Sequence, residues 1–163
     1  MPAVKPSSRS RKPGTKRRNP GMKRAAIPPA PRGGPESAAA LEGVRSVCLA
    51  LPDTTEKIAW GAPTFRVRER LFVMFVDNHH GDGRLAIWVN AAPGAQDAFV
   101  ANDPERYFIP PYVGPSGWLG VRLDRGLSPS EVAARVRAAH AATLAAILAK
   151  KGARTAKPRA RRG

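Results

Sequence analysis

Acidic residues are scarce in this sequence, with 12 Asp and Glu against 28 Lys and Arg, a formal charge of +16 over 163 residues. Cysteine is scarcer still. The one cysteine, Cys48, excludes an intramolecular disulfide framework and fits a reducing compartment. Long apolar runs are missing. The stretch Leu71–Val76 falls far below the ~18–20 residues that a membrane span requires. Residues 1–36 have no apolar stretch, which argues against a secretory signal, and their proline and glycine oppose the amphipathic helix of a transit peptide. Catalytic signatures are lacking as well: there is no G-x-S-x-G, no phosphate-cradling glycine loop, no H-E-x-x-H and no C-x-x-C. The expectation is therefore a protein that is not an enzyme and carries no cofactor.

What is present is unevenly distributed charge. Residues 1–36 hold 10 basic and 1 acidic residue, residues 37–149 hold 11 of each, and residues 150–163 hold 7 basic and none acidic. All of the excess therefore lies in the two ends. Blocks of like charge broken by Pro and Gly cannot bury enough apolar surface to offset the entropy of ordering. They read as a disordered basic N-terminal arm (1–36) and a basic C-terminal tail (150–163). Their expected partner is a polyanion, of which nucleic acid is the commonest, and they are expected to supply most of an affinity largely indifferent to base sequence while the neutral middle sets orientation. Lys12, Lys16, Arg17, Arg18, Lys23 and Arg24 of the arm are candidate phosphate contacts. So are Lys150, Lys151, Arg154, Lys157, Arg159, Arg161 and Arg162 of the tail. No leucine or phenylalanine interleaves these charges, so a membrane-surface helix is not expected.

The middle reads as one α+β domain over 37–149. Pro35 and Glu36 suit a helix start, and Ala38, Leu41, Val44, Val47, Cys48 and Leu51 recur at helical spacing until Pro52. Thr64–Val67 alternates, Leu71–Val76 reads as a central strand, and Leu85–Val89 and Trp118–Leu123 follow as further strands. The turn-rich stretch 77–83 separates the second and third of these. A short helix lies between Pro93 and Asn102. The last helix opens on a capping box, Ser128-Pro129-Ser130-Glu131, and carries Val132, Val136, His140, Leu144 and Leu148 at steps of four, with Gly152 placed to close it. The expected architecture is an antiparallel sheet of about four to five strands with the terminal helices on one face. The other face is left to meet water or a ligand.

In order along the chain, Leu51-Pro52, Trp60-Gly61-x-Pro63-x-Phe65-Arg66-Val67, Asp103-Pro104-x-Arg106-Tyr107-Phe108, Pro110-Pro111-Tyr112-Val113-Gly114 and Gly117-Trp118 precede an Ala-rich final helix. In these motifs residues 38–149 resemble the MmcQ/YjbR family of small bacterial proteins. The resemblance implies a CyaY-like α+β fold and a double-wing DNA-binding motif, and it supplies no catalytic residue set. It makes double-stranded DNA the expected partner, with RNA or ribosome association not separated from it; the expected place is the cytoplasm, with the nucleoid, and the oligomeric state is left open with a monomer favoured. The basic ends are additions to the family pattern. The loop Asp77–Gly83 also looks longer than usual, long enough to serve as a wing.

Within the domain, Arg66, Arg68, Arg70, Arg84, Arg122 and Arg125 fall on strands or next to turns. The first five are the domain's candidate nucleic-acid contacts, against the alternative of surface charge paired with Glu69, Asp77, Asp82 and Asp124. Trp60, Trp88 and Trp118 could stack on bases, but core packing fits their strand setting better, Trp118 being the best exception. Tyr107, Phe108 and Tyr112 read as loop anchors, His140 as a core histidine, Cys48 as a buried thiol, and Ser128 and Ser130 as helix caps. Asp77, His79, His80 and Asp82 have metal-binding side chains, but adjacent histidines seldom face one ion, so no metal is expected. A deep apolar pocket near Trp60, Trp118 and Tyr112, without a convergent basic surface, would instead mark a small-molecule or protein-binding module whose tails serve solubility or localisation.

Overall fold

The computed structural model describes residues 33–155, so residues 1–32 of the expected N-terminal arm and the end of the C-terminal tail lie outside the described residues, and Pro35 and Glu36 at the arm's expected end belong to the first helix. Helix α1 (Pro35–Leu49) starts with proline in its first turn, as the sequence indicates. Six strands follow in an antiparallel sheet ordered β1-β2-β3-β4-β6-β5: β1 (Thr54–Ala59), β2 (Ala62–Val67), β3 (Arg70–Asp77), β4 (Leu85–Val89), β5 (Tyr107–Phe108) and β6 (Leu119–Arg122). Helix α2 (Ala95–Asn102) precedes β5, and α3 (Pro129–Thr155) closes the chain. The α+β class and the terminal helices agree with the sequence reading. The strand count is slightly higher, because β1 and β5 carry little apolar alternation of their own and exist through ladders with β2 and β6.

Two tight hairpins shape the first half of the sheet. Trp60-Gly61 joins β1 to β2 with φ of 52° and 73°, and Arg68-Glu69 joins β2 to β3 with φ of 47° and 65°. Two residues at positive φ are the type I′ geometry whose twist matches paired strands. Both place a non-glycine side chain at the hairpin tip, and in each case a large one.

The helices cover one face. Phe65, Val67, Val73, Phe75, Ile87, Val89, Leu119 and Val121 meet Val44, Cys48, Val136 and Ala139 in a continuous core. Cys48 is wholly buried there, and burial pushes its thiol pKa up to about 12, which makes it a packing residue and not a nucleophile. His140 is likewise a core histidine, with Nε2 2.8 Å from the Pro52 carbonyl oxygen and its ring edge-on to Phe72. The capping box forms reciprocally: the Glu131 N–H donates to Ser128 Oγ at 3.2 Å, and the Ser128 N–H donates to Glu131 Oε2 at 2.7 Å. These backbone and hydroxyl donors hold the Glu131 carboxyl below its usual range.

Helix α3 departs from the expected reading in two ways. Its buried stripe is Ala133, Val136, Ala139, His140 and Thr143, while Leu148 is exposed. Steps of four overshoot a full turn by about 40° each, so a strict i+4 row winds off the buried side. Gly152 does not close the helix either, which runs on to Thr155. By length and composition α3 could cross a membrane, but here its stripe packs on the sheet.

Candidate functional site

Two surfaces bring together the residue types singled out in the sequence. The first is a cationic groove of about 530 Å³ where the β2–β3 hairpin meets the end of α3, lined by Arg68, Arg70, Lys150, Lys151 and Arg154 with Ile147 and Thr155. The hairpin tip carries Arg68 there. The continuation of α3 past Gly152 carries Arg154 there. Among the described residues, Arg68 alone of the five cations has an ion pair, at 2.8 Å to Asp53. The negative end of the helix dipole, equivalent to roughly half a charge, points into the same region and is outweighed by these side chains. Lys157, Arg159, Arg161 and Arg162 follow directly in the sequence. These four, and the arm candidates Lys12, Lys16, Arg17, Arg18, Lys23 and Arg24, lie outside the described residues.

The remaining domain candidates do not join the groove. Arg84 lies over the Phe108 ring at 4.2 Å and approaches Asp82 at 3.8 Å. Arg122 makes two 2.9 Å bonds to the Asp124 carboxylate. Arg66 sits on the uncovered face of the sheet beside its ladder partner Leu71, with Nε buried and unpaired.

The second surface is a cleft of about 480 Å³ on that uncovered face. Leu71 and Met74 of β3 and Trp88 of β4 floor it. The register shift between Phe65 and Arg66 lets Leu71 and Met74, three residues apart, share one side of the sheet. Trp60 stands at one wall from the β1–β2 turn. Tyr112, Val113 and Trp118, from the segment before β6, form another. That segment is tied down by Gln96 of α2, whose Nε2 donates to the carbonyl oxygens of Gly114 and Trp118.

His79 and His80 complete the walls. The loop 77–83, which the sequence offered as a projecting wing, instead makes a short 3-10 turn folded back on the sheet. Its His79 ring packs edge-on against Trp88 at 4.7 Å, and His80 Nε2 lies 3.2 Å from the Tyr112 hydroxyl. Burial, with the neighbouring His80, lowers the His79 pKa and favours its neutral form. Asp77 accepts a 2.6 Å bond from Ser37, and Asp82 accepts the Arg84 N–H. Among the described residues no three His, Cys, Asp or Glu side chains are gathered as ligands to one metal.

The three tryptophans, read from sequence chiefly as core, divide. Trp88 is buried, Trp118 is half-buried, and Trp60 is 76 % exposed. Trp60 differs because the left-handed turn swings it to the hairpin tip. Tyr107 and Phe108 are buried anchors, but Tyr112 is 74 % exposed at a φ of 64°. Sequence reasoning named three of the cleft residues and missed its floor and its histidine wall. The apolar pocket and the convergent basic surface, set against each other as alternatives, are both present.

A sequence model of the family described as YjbR matches residues 49–142. No curated protein and no solved structure matches the chain.

Proposed function

The chain belongs to the YjbR family, and we propose on that footing that it binds double-stranded DNA through the phosphate backbone, largely without regard to base sequence. The observation that carries this reading is the groove in which Arg68 and Arg70 of one hairpin face Lys150, Lys151 and Arg154 of one helix. Cations converging from two elements suit a backbone that presents phosphates at regular intervals, because each contact releases condensed counterions. The β2–β3 hairpin takes the part of a wing. The charged ends add to the same attraction, with Lys157, Arg159, Arg161 and Arg162 following Thr155 in the sequence. No catalytic step is assigned to the chain, and its proposed place is the cytoplasm, with the nucleoid.

The test is a mobility-shift titration of a labelled duplex by the full chain at several salt concentrations. Replacing Lys150, Lys151 and Arg154 together by Gln should lower the slope of log K against log[salt] by about 2–3, close to 0.9 for each phosphate left without its cation. Replacing Arg84 and Arg122 should leave the slope unchanged. Equal slopes for the groove variant and the parent count against the groove. Preference for a single-stranded or duplex RNA competitor at equal salt moves the reading to RNA.

A further inference from the structure

The cleft on the uncovered face plays no part in the groove chemistry. We infer that it is a binding site for an uncharged, planar aromatic small molecule of two or three fused rings bearing a hydrogen-bond acceptor. The inference goes beyond the DNA-binding reading and does not depend on it.

The cleft is concave, about 480 Å³ in volume, and lined by no Lys, Arg, Asp or Glu. Its size falls within the range of pockets that hold small molecules. Its walls are rings. Trp60 and Tyr112, 76 % and 74 % exposed, are held out on left-handed backbone, at φ of 52° and 64°, conformations that side chains of this bulk adopt only when the surrounding structure dictates them. Large aromatic faces left in water at two walls, over a floor that includes Trp88, offer a flat guest stacking partners on more than one side.

An independent observation comes from beneath. Trp88 is 3 % exposed, lines the cleft, and its indole N–H has no hydrogen-bond partner. That nitrogen is closed to solvent as the chain stands, so a guest with a carbonyl, hydroxyl or ring-nitrogen acceptor satisfies it by shifting the ring or its cover on entry, a shift that the cost of the unpaired donor favours.

The same features choose among guests. No carboxylate lines the cleft, and Arg66 stands across the ladder from Leu71, so an organic cation finds no counter-charge. A nucleobase brings several donors and acceptors on its edge, whereas the Tyr112 hydroxyl and His80 Nε2 already engage each other, the floor is apolar, and His79 packs its ring edge-on against Trp88. A fused ring with a single acceptor matches what is there.

The experiment is calorimetric titration of the full-length protein with 2-naphthol. One saturable site per chain is expected. Trp60→Ala and Tyr112→Ala, both at exposed positions, should each weaken binding about tenfold or more, as removal of a stacking ring requires. Trp88→Phe keeps an aromatic ring and removes the N–H. It should weaken 2-naphthol about tenfold while leaving naphthalene, followed by equilibrium dialysis, within about twofold. Far-UV circular dichroism confirms that each variant folds, and if Trp88→Phe does not, the two exposed variants decide.

Absence of saturable 2-naphthol binding overturns the inference, as does binding indifferent to both exposed truncations. Displacement of 2-naphthol by tetramethylammonium or by a single-stranded oligonucleotide, with the same variants affected, assigns the cleft to a cation or a base and overturns it too. The parent protein's DNA titration is read separately, since none of these residues lines the cationic groove.

Discussion

The two faces of the sheet are made by the same strands and differ in almost everything else. On the helix side, alternate residues are aliphatic or phenylalanine, fully enclosed, and met by a complementary stripe from α1 and α3. On the other side, the smaller cluster of Met74, Val76, Ala86, Trp88 and Phe108 has no helix over it. It is covered by the segment before β6, the turn at His79 and, over Phe108, the Arg84 side chain, and between these the cleft stays open. The helix side therefore supplies most of the apolar burial that stabilises the fold. Because the layer above the opposite face is loop and not helix, the identity of its side chains is freer to answer to a guest.

Substitutions can break or sharpen this contrast. The largest effect is expected from Ile87→Ala, at a wholly buried position in the helix-side core. It should cost about 2–5 kcal/mol in urea denaturation, and a change below about 1 kcal/mol would mean that the helices do not seal that face. Gly120→Ala probes the other side. An added Cβ would lie 2.5 Å from ring carbons of Phe108, which itself lies beneath Arg84. Overpacking of about 1–3 kcal/mol is expected, with displacement of the Phe108 ring detectable by NMR.

Ser128→Ala removes the hydroxyl acceptor at the start of α3. It should cost about 1 kcal/mol in the same denaturation assay without altering 2-naphthol binding, since the cap belongs to the covering layer alone. Acidification tests the cleft wall. His79 has a lowered pKa in the folded chain, so the unfolded chain takes up its proton first as pH falls below the ordinary histidine value. Stability should decline from about pH 6.5 down to the lowered value and then level off, and His79→Gln should flatten that part of the curve. The smallest effect is expected from Trp60→Ala, at within about 0.5 kcal/mol of the parent, because its ring is mostly in water. A Trp60 variant that unfolds would place that ring in the structural core after all.

Much of the fold was legible because local signals coincided. The capping box, the proline opening α1 and the alternation of β2 each announce their element without knowledge of the rest. β1 was not legible, since Thr54–Ala59 reads as a polar segment and becomes a strand only through pairing with β2. The cationic groove was half legible. The sequence picks out its arginines and lysines, but it reads Lys150, Lys151 and Arg154 as part of a tail beginning at residue 150. Ala-rich sequence carries the helix through Gly152, and only that continuation places Arg154 beside the hairpin. The cleft depends on a strand register shift and on left-handed turns at Trp60, His80 and Tyr112. These features follow from tertiary pairing, which a one-dimensional pattern does not contain.

The chain has three tryptophans, and all three line the one cleft. The intrinsic ultraviolet emission of this protein is therefore a local optical signal. A shift in its wavelength or intensity reports on water and guests at that single place, with no label attached and no other indole among the described residues to dilute it.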